Sequence, residues 1–204
     1  MIIEMQKGIK SSIFCSYEEA YSLLYKYGNG APWIKHCFAV SSLATYLSNI
    51  FTSRYPVNIE FVRTAALLHD IGRFKTHHPI MHGVEGYNLL TELGYVNEAF
   101  ICASHILYGI NSSEAEQYGL PRNDFIPISF EERLVPLVDF LVEHDRPVLL
   151  RERFENLRSR HRNNHGFSLR LNKAEQKAEA LMNQLNDEFN ISIEALSVSF
   201  FSKE

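Results

Sequence analysis

The residues best equipped for chemistry stand at the end of an apolar run, Ala65-Ala66-Leu67-Leu68-His69-Asp70-Ile71-Gly72-Arg73. Val62, Ala65, Ala66 and His69 fall at i, i+3, i+4 and i+7, the spacing of one helical face. Gly72 stands where a helix would stop in a left-handed cap. That reading puts His69 and Asp70 in the last turn of a buried helix, with side chains leaving about 100° apart. A lone histidine on such a face is more often a satisfied core residue than a ligand. An adjacent carboxylate changes this, because a buried charge must be paired or coordinate a metal. Imidazole nitrogen with carboxylate oxygen suits first-row metals. Further ligands must then come from elsewhere in the chain.

The elements that would position them read as helices, and strand signals are nearly absent. Ser16-Tyr17-Glu18-Glu19 is a capping box, opening a helix that Gly28 and Gly30 close. Pro32 suits the first turn of a second helix, running to about Phe51. On it His36, Val40, Leu43 and Leu47 share a stripe, so His36 points inward. Asn58 caps the third helix, which bears His69 and Asp70. After a loop broken by Pro79, a fourth helix runs from about His82 to Leu93, stopped by Gly94. A fifth, capped near Asn97, carries Ile101, Cys102 and His105 on one face. A polar excursion from Gly109 to Ser129 holds a short helix around 113–118.

Ser129-Phe130-Glu131-Glu132 is a second capping box, and Asp139 lies in the helix it opens, among Val135, Val138 and Val142. Pro136 should kink that helix or move its start. An unpaired Asp in such a setting costs several kcal/mol, so Asp139 needs a cationic partner. Past Pro147, Arg151, Arg153, Arg158, Arg160, Arg162 and Arg170 crowd together. A long amphipathic helix then opens at Asn172 and runs to about Phe189, and the apolar tail from Ile191 to Phe201 docks on the body. The fold class is an all-α helical bundle.

With 204 residues the chain reads as one domain, 1–204. A metal-site core would span about 20–145 and a C-terminal helical extension about 146–204. A net charge of −4 gives no general case for nucleic acid or an anionic membrane. No apolar run approaches the ~18 residues of a spanning helix. Met1-Ile2-Ile3-Glu4-Met5-Gln6-Lys7 lacks the uninterrupted apolar core of a secretory signal. Cys15, Cys37 and Cys102 form no Cys-x-x-Cys and read as buried free thiols in a reducing compartment. The expectation is a cytoplasmic protein.

Collected in order, the inward-pointing ligand types are His36, His69-Asp70, His82, His105 and Asp139. This order resembles the H…HD…D pattern of the HD-domain superfamily of metal-dependent phosphohydrolases, and the HD-type diadenosine tetraphosphate hydrolases share it. A closer resemblance is to a poorly characterised archaeal and bacterial HD family. It rests on Tyr27-Gly28, Ile34-Lys35-His36-Cys37, Leu67 to Arg73, His82-Gly83-Val84-Glu85-Gly86, His105-Ile106, Tyr118-Gly119-Leu120-Pro121 and Glu131-Glu132. It spans roughly residues 20–160. The chain departs from that pattern in Val135 to Asp139, which is unusually apolar and holds a proline, and in Ser104 before His105.

The resemblance implies a first divalent metal held by His36, His69, Asp70 and Asp139. Asp70 would bridge to a second, held by His82 and His105. Mn, Fe, Co, Ni or Mg suits such nitrogen and oxygen ligands. A hydroxide between two metals would attack phosphorus in line with the leaving group, with Asp70, His69 and Arg73 in catalytic roles. Arg73, Lys75 and His78 would contact substrate phosphate; for Arg73 the structural alternative is a helix-dipole partner. His144, His161 and His165 lack apolar context and read as surface. The arginine-rich stretch is interleaved with Glu152 and Glu155, which favours a solvated face or a wall of a phosphate pocket over a nucleic-acid site. The expected substrate is a small nucleotide or related phosphoester, and the last helix could form a homodimer seam. Two other readings stand beside the hydrolase. One is a mixed-valent diiron oxygenase on the same ligand order, the other a non-catalytic nucleotide-binding regulatory module.

Overall fold

Three helix starts fall where the sequence places caps, at Ser16, Asn58 and Ser129. In the computed structural model, which describes residues 15–203, Ser16 and Ser129 each close a capping box, opening α1 (Tyr17–Gly28) and α7 (Phe130–Phe140). Asn58 accepts from the Phe61 amide and opens α3 (Ile59–Leu68). Between these lie α2 (Trp33–Phe51), α4 (Met81–Leu93), α5 (Val96–Ser104) and α6 (Ser112–Gln117). Then come a two-residue antiparallel hairpin, β1 (Val142–Glu143) with β2 (Arg146–Pro147), and α8 (Leu150–Arg160), α9 (His165–Phe189) and α10 (Ile193–Phe201). The segment Met1 to Lys7, read above for a secretory signal, lies outside the described residues.

α3 is the axis, packed against α1, α2, α5 and α7. Val62, Ala65 and Ala66 are fully buried there with Leu43 and Leu47 of α2 and Val135 and Val138 of α7. Burial of this kind stabilises by about 25 cal/mol per Å² of apolar surface, which anchors the helices that carry the polar residues. α9 closes the other side through Leu171, Ala174, Ala178, Leu181 and Leu185, a stripe at helical spacing. α10 docks as its apolar sequence suggests: Ile193 is buried and the Phe200 ring lies 5.0 Å from that of Tyr46. Among the described residues no helix is long and apolar enough to cross a membrane. Cys15, Cys37 and Cys102 are free and buried.

Several local expectations are corrected. Gly72 is not left-handed; it lies in a 3-10 turn, Ile71–Phe74. Glycine is needed there for a different reason: a Cβ would sit 1.9 Å from the His82 carbonyl oxygen and 2.4 Å from the Gly86 nitrogen. α9 begins at His165, not Asn172, because Asn164 caps it by accepting from the Phe167 amide. α5 begins at Val96, and its N-cap Tyr95 makes no side-chain cap bond. Pro136 stays inside α7, buried, and does not move its start.

Candidate metal centre

α3 ends at Leu68. His69 is its cap, and Asp70 has left the helix at φ −102°, ψ 9°. This bridge conformation, frequent at functional sites, replaces the expected splay of about 100° and lets two sequence neighbours address one point. His69 Nε2 lies 3.7 Å from Asp70 Oδ2. Gly72 then lets the 3-10 turn touch the backbone of α4 and so bring in His82. Gly83, where a Cβ would meet the Cys102 carbonyl at 2.4 Å, lets α4 press on α5 and so bring in His105. His36 arrives from the buried stripe of α2 and Asp139 from the last turn of α7. The structure thus gathers all six residues read as ligands.

The imidazoles are oriented alike. Nδ1 of His36 donates to the His144 carbonyl at 3.0 Å and that of His69 to Ala66 at 2.7 Å. Nδ1 of His82 donates to His78 at 2.8 Å and that of His105 to Ile101 at 3.1 Å. A carbonyl only accepts, so each Nδ1 carries a proton, and each ring in its neutral form turns an Nε2 lone pair inward. Those lone pairs meet other acceptors. His36 Nε2 is 2.9 Å from Asp139 Oδ1, His82 Nε2 is 2.9 Å from Asp70 Oδ1, and His82 Nε2 is 3.3 Å from His105 Nε2. His69 Nε2 and Asp70 Oδ1 are buried without a hydrogen-bond partner among the described residues. Acceptors this close repel unless a proton or a metal cation lies between them.

The electrostatics agree. Burial pushes the Asp70 carboxyl up, but Arg73, His82 and His69 outweigh it and hold the group well below the usual range. Asp139 behaves likewise, with His36 and His69 overcoming burial. Burial pushes His69 down while Asp70 and Asp139 pull it above its ordinary value, so a proton is drawn to the point where the acceptors converge. Burial, together with the neighbouring His69 and His82, lowers His105. Two groups, His36 with His69 and Asp139, and His69 with Asp70 and His105, bring single ligand atoms within 4.8 Å of one another. Nitrogen and carboxylate donors with surplus lone pairs fit divalent cations, and these residues could hold them.

Two cavities open on this centre, of about 480 and 250 Å³. The larger reaches His36 and Asp70, the smaller His82, His105 and Asp139. Arg73 lines both and binds Asp70 through Nε. Lys75 and His78 are placed elsewhere: Lys75 is exposed and pairs with Glu85 at 2.7 Å, and His78 Nδ1 accepts from the first amides of α4. The neighbouring His77 lines both cavities instead. Reading His144 and His161 as surface is incomplete. His144 is exposed yet lines the larger cavity and supports His36 through its carbonyl, while half-buried His161 lines the smaller one. Trp33, Glu143, Arg153 and Arg160 also line the larger cavity. The only sequence signal for these was the crowding of arginines; a role played by a backbone carbonyl leaves none.

The model of the HD domain matches residues 33–187. An uncharacterised protein of Methanocaldococcus jannaschii is 40% identical over 134 residues, covering 65% of this chain and 79% of that protein. Two proteins named tRNA (cytidine(56)-2'-O)-methyltransferase, from Thermoplasma volcanium and Picrophilus torridus, are 33% and 31% identical and cover 76% and 72% of this chain. The chain spans only 45% and 42% of their lengths. No solved structure matches the chain. The chain belongs to the HD domain family, whose members are all-α and bind divalent metals.

Proposed function

We propose that the protein is a metal-dependent phosphohydrolase acting on a small nucleotide or related phosphoester. One observation carries the reading: four imidazole Nε2 atoms and two carboxylates converge on one buried point, beside a cleft lined by arginines. In this reading His36, His69, Asp70 and Asp139 hold one divalent cation, and Asp70, His82 and His105 hold a second. Bound there, such cations supply Lewis acidity and lower the pKa of a coordinated water toward neutrality. The chain supplies the rest. The four carbonyls acting on Nδ1 fix ring orientation, Asp70 has an oxygen on each side of the centre, and Arg73 faces the cleft as a donor to phosphoryl oxygens. The cationic cleft favours an anionic, phosphorylated substrate. The methyltransferase activity for which two relatives are named is not part of this reading, since the chain spans less than half of each.

The test is elemental analysis of protein purified without added metal or chelator, followed by phosphate release from a panel of mononucleotides and dinucleoside polyphosphates. The expected result is about two metals per chain and hydrolysis that a chelator abolishes. Absence of metal after reconstitution overturns the reading. A mixed-valent iron pair with substrate-dependent oxygen uptake replaces it with an oxygenase.

A further inference from the structure

Arg73, His77, Arg153 and Arg160 line both cavities, so a cationic bar crosses the mouth of the centre. Its guanidiniums are not equally engaged. Arg73 gives its Nε–H to Asp70. Arg153 and Arg160, one helical face of α8, both bind the same oxygen of Glu143, Oε1, and Asn156 donates to Oε2 at 3.1 Å. One carboxylate between two guanidiniums leaves a positive charge. The buried Arg153 Nε–H has no acceptor among the described residues. An ion pair serving only to fasten α8 to the hairpin would need one arginine, and Arg160 is half exposed. Planar guanidiniums match phosphate oxygens two at a time. The same cavity is walled by Trp33, the chain's sole tryptophan, and its volume of about 480 Å³ lies in the range that takes a nucleotide-sized molecule.

We infer that Arg153 and Arg160, spaced by Glu143, bind a second phosphoryl group beside the one at the His/Asp centre, so that the substrate carries two linked phosphoryl groups and an organic ring packed against Trp33. The inference rests on the phosphohydrolase reading and narrows it to organic diphosphates and longer esters. Glu143 then acts as a placeholder, keeping the two guanidiniums parallel and partly neutralised until phosphate oxygens share them.

The experiment uses the metal-loaded full chain and reads Trp33 fluorescence during titration with AMP and with α,β-methylene-ADP, whose phosphorus–carbon link resists cleavage. Wild type should bind the methylene diphosphate about tenfold or more tightly than AMP. In Arg153→Ala/Arg160→Ala, shown to be folded by its helical circular dichroism, the two ligands should bind within about twofold of each other. Arg160→Ala alone, at a half-exposed position that opens no core, should lose about half of the preference on a logarithmic scale. Equal binding in wild type, a preference surviving both substitutions, or no response to either nucleotide overturns the inference. The two readings fail separately. Diphosphate preference without hydrolysis of any nucleotide would remove the phosphohydrolase and leave this subsite. Hydrolysis confined to monophosphates would remove the subsite and leave the hydrolase.

Discussion

Around Asp70 and Asp139 the acceptors outnumber the protons available to them, whereas around Glu143 the N–H donors outnumber the oxygens. Both clusters border one cleft. The first is rigid: its rings are nearly buried, each fixed by a backbone carbonyl, and its elements are pressed together at glycines. The second is a set of long side chains on α8 and a hairpin, partly open to solvent. Surplus lone pairs on a stiff frame select a cation by charge and geometry. Surplus donors on flexible stems receive an anion and adjust to it. Placing one beside the other makes a cleft that is attractive to metal on its floor and to phosphate on its wall.

The contrast predicts very different sensitivities. Asp70→Ala removes the carboxylate common to both halves of the centre and should abolish metal retention and activity together, the latter by at least about 10³-fold; elemental analysis and phosphate release measure both. Activity surviving intact would dissolve the distinction between the two clusters. Gly72→Ala drives a methyl group into the α4 backbone and should destabilise the fold by about 3 kcal/mol in chemical denaturation. Glu143→Gln should cost about 1 kcal/mol at neutral pH. Burial raises the Glu143 carboxyl, but Arg153 and Arg160 outweigh it and hold the group below its ordinary value of 4.5. A lowered folded pKa means that the stabilisation is complete above about 4.5 and is lost as the pH falls through the folded value. The variant's acid unfolding limb should therefore be shallower than that of wild type. The smallest effect belongs to Arg151→Ala. Two residues from Arg153 on α8, its exposed side chain pairs only with Glu155. Its thermal melt should not move, and nucleotide binding should change by less than about twofold.

Legibility in the sequence follows the same division. Caps at Ser16, Asn58 and Ser129 are local chemistry, and local chemistry can be read from residue types. His36 was legible because an apolar stripe tells which way a helix faces, and His105 for the same reason. The conformation of Asp70 was not, since a bend after Leu68 depends on what α4 presses against. Gly72 was recognised as special for the wrong reason: its spacing suggests a cap, while its actual demand is a backbone contact with residues ten or more positions away. The early start of α9 was hidden because Asn163-Asn164-His165-Gly166 has loop composition, and tertiary burial of Phe167 and Leu171 overrides it. Arg153 and Arg160 could not be told from Arg151 or Arg162 without knowing where the hairpin places Glu143.

That hairpin carries one further consequence. His144 stands at its turn in a left-handed conformation, φ 59°, and its carbonyl is what fixes the ring of His36, more than a hundred residues earlier. Synthesis proceeds from the N-terminus, so an emerging chain holds Asp70 and the imidazoles of α2 to α5 well before Asp139 and the hairpin have left the ribosome. Until then the His36 ring lacks both of its hydrogen-bond partners, Asp139 and the His144 carbonyl. Of the six converging side chains Asp139 is thus the last to be made, and the hairpin that follows it supplies the carbonyl that fixes the first, His36.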